Sequence, residues 1–144
     1  MSYRHILTAV EMHDDDKALL ARACDFARLS GARLSVLHVV EYLPVDPAGD
    51  ALLTTSVDLS RERASQAETL LRDWCRVLEI PAEQARVVVG AVTAEILRTA
   101  SESAVDLIVV GHPPRKGLAK FFSHTEEGVV HRAPCDVLVM RLAQ

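Results

Sequence analysis

The sequence predicts an α/β fold, an open five-stranded parallel sheet with helices on both faces. Five short runs rich in β-branched and aliphatic residues show little alternation of apolar and polar side chains, which is typical of strands buried on both faces. Segments with apolar residues at a period near 3.6 lie between these runs, and each interval is long enough for a crossover helix. With 144 residues, 49% of them hydrophobic, the chain is expected to form a single domain over residues 1–144.

The elements follow one another as strand and helix throughout the chain. The predicted strands cover residues 6–10, 36–40, 86–89, 107–110 and 137–140. The first helical stripe carries Leu19, Ala23, Phe26 and Ala27, and the second carries Ala67, Leu70, Leu71, Trp74 and Leu78. The third carries Ile96, Leu97, Ala100 and Ala104, and the fourth carries Val129 and Val130. Trp74 lies on an apolar stripe and is expected in the core.

Capping residues and breakers indicate where the helices begin and end. Gly31 follows the first helix, where a left-handed residue is expected to terminate it. Asp58 or Ser60 is predicted to cap the second helix, and Thr93 the third. Residues 41–57 show no clear period and contain prolines and a glycine, so they are predicted to form the longest loop.

Charge and cysteine content exclude several classes of protein. The net charge is −4, without a block of five like charges, which disfavours a nucleic-acid or anionic-membrane surface. The absence of a signal-peptide pattern and of an apolar run near 18 residues predicts a cytoplasmic protein. Cys24, Cys75 and Cys135 form neither a paired framework nor a zinc motif, so they are expected to be buried structural thiols.

The sequence predicts a ligand site where the strands end. Ligands of open α/β sheets bind at the carboxyl ends of the strands, where the winding direction reverses. Here these ends are residues 10–13, 40–42, 90–92 and 111–117. The last segment combines a strand end and a glycine with a following helix whose N-terminus could receive an anion. Three cations accompany it, Arg115, Lys116 and Lys120.

Four segments of the chain resemble the universal stress protein family. They are residues 3–10 (YRHILTAV), 34–39 (LSVLHV), 105–112 (VDLIVVGH) and 133–139 (APCDVLV). The resemblance covers essentially the whole chain. It implies a Rossmann-like five-stranded fold similar to that of adenine nucleotide alpha hydrolases, in cytoplasmic proteins that are induced by stress and usually dimeric.

Part of this family binds ATP through a Gly-x-x-Gly, nine-residue, Gly-Ser/Thr loop, which this sequence matches only in part. Gly111 matches the first glycine and Thr125 the hydroxyl residue, but Pro114 and His124 occupy the other glycine positions. Proline has no N–H to donate, and a histidine ring obstructs close approach of a phosphate. Glu11 stands where the family usually has Asp. The candidate nucleotide contacts that the resemblance implies are Ala9, Glu11, Val39, Gly111, Arg115, Gly117 and Thr125.

The start of the final helix is a second reason to expect weak ATP binding or none. Residues Ser123 to Glu126 fit a capping box, which would place Glu126 and Glu127 in the first helical turn. Carboxylates there would occupy the helix dipole and repel a polyphosphate. The Gly111–His112 pair also resembles the subgroup of the family that lacks the ATP loop. Arg115, Lys116 and Lys120 could still hold an anion by their side chains.

Other clusters of polar residues have ordinary explanations. His112, His124 and His131 surround the same loop, but a seven-residue spacing between the last two does not suit one metal ion, so no metal site is predicted. His38 is expected to be a neutral core histidine bonded to the backbone. Asp14, Asp15 and Asp16 could bind Mg²⁺ but more simply favour the start of a helix.

The sequence contains no signature of a catalytic nucleophile, a Walker loop or a dinucleotide-binding glycine motif. Together with the resemblance, which implies a stress-response role, this makes a non-catalytic stress-response protein the leading hypothesis. An ATP- or AMP-binding sensor is the alternative, and an adenylate-forming or nucleotide-hydrolysing enzyme is the least favoured class. The strand order that the resemblance implies places the apolar final strand, with Val137, Leu138, Val139 and Met140, at a sheet edge. Such an edge needs covering, which predicts a homodimer through this strand.

Overall fold

The computed structural model describes residues 2–42, 50–112 and 119–142, and for residues 50–57 and 119–124 it describes the backbone alone. The strands are β1 (His5–Ala9), β2 (Arg33–Val40), β3 (Ala85–Val89), β4 (Leu107–His112) and β5 (Asp136–Arg141). The helices are α1 (Asp15–Ser30), α2 (Asp50–Val77), α3 (Val92–Glu102) and α4 (Ala119–Arg132), with a 3₁₀ turn at Ala82–Gln84.

All five strands are parallel and lie in the order β3-β2-β1-β4-β5. The predicted fold class is confirmed. The winding reverses between β1 and β4, because β2 and β3 extend the sheet on one side of β1 whereas β4 and β5 extend it on the other. The carboxyl ends of β1 and β4 therefore form the switch point at which open α/β sheets bind ligands.

Two apolar clusters cover the two faces of the sheet. Residues of α1 and α2, including Leu19 and Trp74, pack with Ile6 on one face. Ile96 of α3 and Val129 of α4 pack with neighbouring strand residues on the other face. Ile6 and its neighbour Leu7 are both fully buried on opposite faces, which explains the uninterrupted apolar runs in the sequence. Each such side chain contributes roughly 1.5–3 kcal/mol by its burial.

The predicted helix boundaries are confirmed at one position and wrong at others. Gly31 ends α1 with a φ of 68°. The second helix begins at Asp50 rather than near Asp58 or Ser60, and Ser60 is buried inside it. Residues 50–57 are therefore helical and not part of a loop, because nothing between Asp50 and Val77 breaks the helix with Gly or Pro; residues 43–49 lie outside the described residues. Thr93 is not the cap of α3, since Ala91 occupies that position without a side-chain hydrogen bond.

The interior polar and sulfur groups largely match the sequence predictions. His38 donates from Nδ1 to the carbonyl oxygen of Val10 at 2.7 Å, and burial lowers its pKa. The ring is therefore neutral and bonded to the backbone as predicted, but it is half-buried rather than in the core. Cys24 and Cys75 are buried free thiols, whereas Cys135 is half-buried, and burial raises the pKa of the Cys135 thiol. Within the described part of the chain, no helix is long and apolar enough to cross a membrane.

Candidate functional site

The carboxyl ends of three strands meet at an open cleft of about 470 Å³, called here the carboxyl-end cleft. Its lining combines residues that follow β1 and β2, the turn between β3 and α3, and one residue of α4. The lining residues are Glu11, Glu41, Tyr42, Gly90, Ala91, Val92, Thr93 and Thr125. The sequence rule that places a ligand site at these strand ends thus leads to a real concavity.

Two of the predicted nucleotide contacts, Glu11 and Thr125, line this cleft. Ala9 and Val39 do not: they pack against the α3–α4 cluster, where Val39 is buried and Ala9 half-buried. Gly111 is half-buried and also lies outside the lining. Arg115 and Gly117, together with Pro114 and Lys116, lie outside the described residues.

Gly111 has a packing role in this structure. A Cβ atom at this position would lie 3.0 Å from Leu142 Cδ1 and 3.1 Å from Leu19 Cδ2. Both contacts are tighter than ordinary van der Waals distances, and both leucines belong to the core cluster beneath α1. The need for glycine at 111 is therefore explained by the fit of two core side chains, without a phosphate.

Glu11 is the most perturbed acid at the cleft. Burial raises the pKa of its carboxyl to about 7, the Asp16 and Glu41 carboxylates add to the rise, and His13 opposes it. A carboxyl in this state exchanges a proton near neutral pH. It can therefore donate a hydrogen bond to a ligand in one state and repel an anion in the other.

Asp16 fixes the loop that carries Glu11. The residue is only 4% exposed, and its carboxylate accepts hydrogen bonds from the backbone N–H groups of Glu11 at 2.8 Å and His13 at 3.2 Å. Between these two residues, Met12 adopts a left-handed φ of 65°. Asp16 thus closes a tight loop between β1 and α1. The sequence did not predict this role, because an acid in the first turn of a helix is already explained by the helix dipole. Asp14 is the N-cap residue but makes no side-chain capping bond.

The predicted capping box at Ser123–Glu126 is wrong. The last helix begins at Ala119 and carries no acid in its first turn, so Glu126 and Glu127 do not occupy the positive end of its dipole. The backbone continues as helix through residue 123, which cannot act as an N-cap there. These acids therefore do not oppose a phosphate at the start of the helix. Pro114 and His124 are the remaining features of the sequence that predict weak phosphate binding.

Glu126 instead pairs with His112, at the end of β4, with 2.7 Å between its Oε2 and the imidazole Nδ1. His131 lies on another part of α4, 3.9 Å from Glu127 and largely exposed. The side chain of His124 is not among those described. Among the residues that the structure describes, no group of three or more His, Cys, Asp or Glu side chains could hold a metal ion.

Together, the sheet order and the cleft define an α/β protein of the Rossmann-like class with a concave site at the carboxyl ends of β1, β2 and β3. A universal stress protein family model matches residues 2–141. The chain belongs to the universal stress protein family.

Similar proteins are found in Coxiella burnetii and Thermus aquaticus. The chain is 31% identical to a universal stress protein A homolog of Coxiella burnetii over 140 residues, covering 97% of both chains. It is also 31% identical to a universal stress protein of Thermus aquaticus over 143 residues, covering 96% of this chain and 99% of the relative.

Solved structures agree with the fold. The universal stress protein UspA of Lactobacillus plantarum superposes with a TM-score of 0.83 at 25% identity, covering 98% of this chain and 99% of that chain. A universal stress protein solved in complex with cAMP superposes with a TM-score of 0.63 at 20% identity, covering 97% of this chain and 98% of that one. The second likeness concerns the fold alone.

Proposed function

We propose that this universal stress protein is a non-catalytic, cytoplasmic stress-response protein that acts as a homodimer and binds ATP weakly or not at all. Membership of the family supports the stress-response role and the location. The weak nucleotide binding follows from the chemistry of the carboxyl-end cleft and from the residues at 114 and 124.

The charge of the carboxyl-end cleft is the observation that carries this proposal. Its charged lining residues, among those described, are Glu11 and Glu41, both of them acids. When ionised, each repels a polyphosphate by roughly 1 kcal/mol after solvent screening. Above the pKa of Glu11, near 7, both charges oppose ATP, and the family's phosphate loop has lost the N–H of one glycine position to Pro114.

Calorimetric titration with ATP and Mg²⁺ tests the proposal directly. We expect a dissociation constant on the order of 0.1 mM or weaker, equivalent to about 5.5 kcal/mol of binding free energy or less. Freshly purified protein, once denatured, should release far less than one equivalent of nucleotide. A micromolar constant or stoichiometric release would contradict the proposal.

The loop residues are tested by the double variant Pro114→Gly with His124→Gly. It should bind ATP more tightly than the wild type, because an N–H donor is restored and a bulky ring is removed. His131→Gly supplies a control for the glycine placed in α4, since His131 is exposed on the same helix. No gain in the double variant would show that the acids of the cleft, rather than the loop, limit binding.

An ATP- or AMP-binding sensor is the second candidate. The observation in its favour is that Glu11 and Thr125, two of the family's binding positions, line one cleft. A relative of the same fold has been solved with cAMP. The titration described for ATP decides between the two candidates when AMP is added as a second ligand.

The proposed dimer uses β5, which forms one edge of the sheet. Val137 and Val139 pack toward the α3–α4 cluster, and Leu138 and Met140 toward the α1–α2 cluster, yet Val137, Leu138 and Val139 are each only half-buried. Pairing with the same strand of a second copy would complete their burial and satisfy the free backbone groups of the edge.

Light scattering of Val139→Lys beside the wild type tests this interface. The wild type should be dimeric at micromolar concentration, and the lysine variant should be largely monomeric with unchanged circular dichroism. Val77→Lys is the matched control, because Val77 is 76% exposed near the end of α2. A monomeric wild type, or a Val139→Lys protein that folds and remains dimeric, would exclude the β5 interface.

A further inference from the structure

A second cavity, called here the amino-end cavity, lies at the amino ends of the strands, opposite the carboxyl-end cleft. It has a volume of about 420 Å³ and opens between the first residues of β1 and β2, the start of β3 and the end of α3. Its lining residues are His5, Leu7, Arg33, Ser35, Val36, Leu37, Glu83, Gln84, Arg86, Thr99 and Ser103. None of these belongs to the carboxyl-end cleft.

The amino-end cavity carries positive charge in a chain whose net charge is −4. Arg33 and Arg86 line it, and Glu83 is the one acid among its lining residues. In the described part of the chain, both arginines are exposed and neither forms an ion pair with a carboxylate. Two guanidinium groups beside a concave surface, without carboxylate partners, are a feature of anion sites.

His5 forms a rigid neutral wall of the cavity. The residue is 6% exposed, its Nδ1–H donates to the carbonyl oxygen of Ser103 at 3.0 Å, and its Nε2 accepts from the Ser35 hydroxyl at 2.7 Å. Burial lowers the pKa of the ring, and Arg33 lowers it further, while the Ser103 carbonyl and Asp106 oppose the change.

Arg33 lies against this ring, with its Nη2 3.1 Å from Nδ1 and 3.4 Å from Nε2. The ring nitrogens are already hydrogen-bonded to the Ser103 carbonyl and the Ser35 hydroxyl. The imidazole therefore offers no free acceptor to the guanidinium, which has five N–H donors. Arg33 is exposed, so a ligand oxyanion at this position would replace water as the acceptor and would also neutralise the charge that now faces His5.

The strand register sets the length of the ligand. Arg33 pairs with His5 of β1, whereas Arg86 pairs with Leu37 of β2, which is four residues further along that strand than Arg33. The two arginine Cα atoms are therefore separated by roughly 13 Å along the strands. A compact ion would contact one arginine, while a molecule with polar groups at both ends would reach toward both.

Glu83, Asp106 and the end of α3 oppose an anion here. Asp106 lies outside the lining, and its carboxylate already accepts hydrogen bonds from the N–H groups of Arg4 and His5. Glu83 contributes one negative charge against two positive ones. The end of α3 presents carbonyl groups, but the Ser103 carbonyl that lies nearest His5 already accepts its hydrogen bond. The lining residues thus carry a net charge of about +1 at neutral pH.

We infer that the amino-end cavity binds an extended small organic oxyanion, either a phosphate monoester or a carboxylate. Its charged group lies at Arg33 or Arg86, and the hydroxyl groups of Thr99 and Ser103 contact its polar body. The volume falls within the roughly 300–1,000 Å³ range of small-molecule sites. This site is independent of any nucleotide in the carboxyl-end cleft.

Titration at constant ionic strength, followed by the imidazole NMR signals of His5, tests this site in the wild-type protein. Ribose 5-phosphate represents the phosphate monoesters, succinate the carboxylates, and ribose is the uncharged control. At least one of the two oxyanions should shift the His5 signals in a saturable manner, and ribose should not. The site is excluded if neither oxyanion shifts them at concentrations up to roughly 20 mM, which corresponds to a binding free energy weaker than about 2.3 kcal/mol.

Charge-neutral variants locate the binding groups. Arg33→Gln and Arg86→Gln should each weaken binding of the active oxyanion roughly tenfold, as expected for the loss of one charge-assisted interaction. Arg76→Gln removes the same charge from α2, where Arg76 pairs with Asp73, and should leave affinity unchanged. Equal weakening in all three variants would show nonspecific attraction and overturn the assignment; if Arg33→Gln does not fold, Arg86→Gln against Arg76→Gln decides.

Discussion

At each end of β1, a carboxylate accepts hydrogen bonds from two backbone N–H groups. At the amino end, Asp106 accepts from Arg4 at 2.8 Å and from His5 at 3.0 Å. At the carboxyl end, Asp16 accepts from Glu11 at 2.8 Å and from His13 at 3.2 Å. The hydrogen bonds are nearly the same, but the surroundings differ, because Asp16 is buried and Asp106 is half-buried.

This difference in burial reverses the direction of the pKa shift. The N–H groups of Arg4 and then His5 hold the pKa of Asp106 below its ordinary value. For Asp16, burial outweighs the same kind of hydrogen bond and raises the pKa. Two amide donors are therefore sufficient to stabilise a solvated carboxylate but not a desolvated one, and the acidic cleft lies at the end where desolvation dominates.

Removing each carboxylate should show which end of β1 loses more stability without its carboxylate hydrogen bonds. Asp16→Ala should lower the free energy of unfolding by about 3 kcal/mol, because two N–H groups would be left without acceptors in a buried loop. Asp106→Ala should cost about 1 kcal/mol, since water can replace its carboxylate at the surface. Urea denaturation of both variants measures the difference, and equal losses would show that burial does not distinguish the two ends.

The pH dependence of stability should carry the signature of Glu11. Its folded pKa of about 7 lies above the ordinary value of 4.5, so between these pH values the folded chain binds more protons at Glu11 than the unfolded chain does. The free energy of unfolding should therefore fall as pH rises through this window, by about 2 kcal/mol after allowing for partial exposure.

Glu11→Gln should remove that slope, whereas Glu68→Gln, at an exposed position of α2, should leave it in place. Denaturant unfolding at pH 4.5, 5.5, 6.5 and 7.5 compares the three proteins, the pH values being chosen to bracket the shift. A slope that survives in Glu11→Gln would show that other groups cause the change in stability between pH 4.5 and 7.5.

Asp106 contributes in the opposite sense, because its lowered pKa makes the free energy of unfolding fall as the pH drops below its ordinary value of 3.8.

Two glycines at the carboxyl ends of strands, Gly90 and Gly111, test how much side-chain packing there depends on the absence of a Cβ atom. Gly111→Ala should cost about 1 kcal/mol, because the new methyl group must displace Leu19 and Leu142 inside the core. Gly90→Ala should cost about 0.5 kcal/mol or less, since the three atoms nearest the new Cβ all belong to the Glu95 side chain, which can rotate away. Thermal unfolding of the two variants compares them, and an undisturbed Gly111→Ala protein would contradict the packing role of this glycine.

The strands were predictable because burial on both faces leaves a simple trace, a short apolar run without alternation. The starts of α2 and α4 were not, because weak capping patterns at Asp58 and Ser123 competed with continued helix growth across residues that do not break a helix. The end of α1 was predictable, since Gly31 supplies the left-handed conformation that a helix terminus often requires.

The candidate site was predictable only where a rule pointed to it. The strand-end rule and the family resemblance led to Glu11 and Thr125 in the cleft. Asp16 was missed as a loop acceptor, since an acid at the start of a helix already has an explanation. The amino-end cavity was missed because His5 and Arg33 are 28 residues apart; the available signal was a His and a Ser at otherwise apolar strand positions.

The central place of β1 has a consequence for how the chain reaches its fold during synthesis. One edge of β1 pairs with β2 soon after both emerge, but Ile6 pairs with Leu107 on the other edge, 101 residues later in the chain. At a translation rate of about 5–20 residues per second, the interval between completion of β2 and arrival of β4 lasts roughly 3–14 s. Throughout that time the nascent chain carries an unpaired apolar strand edge, so we expect it to need shielding by the ribosome or a chaperone until β4 arrives.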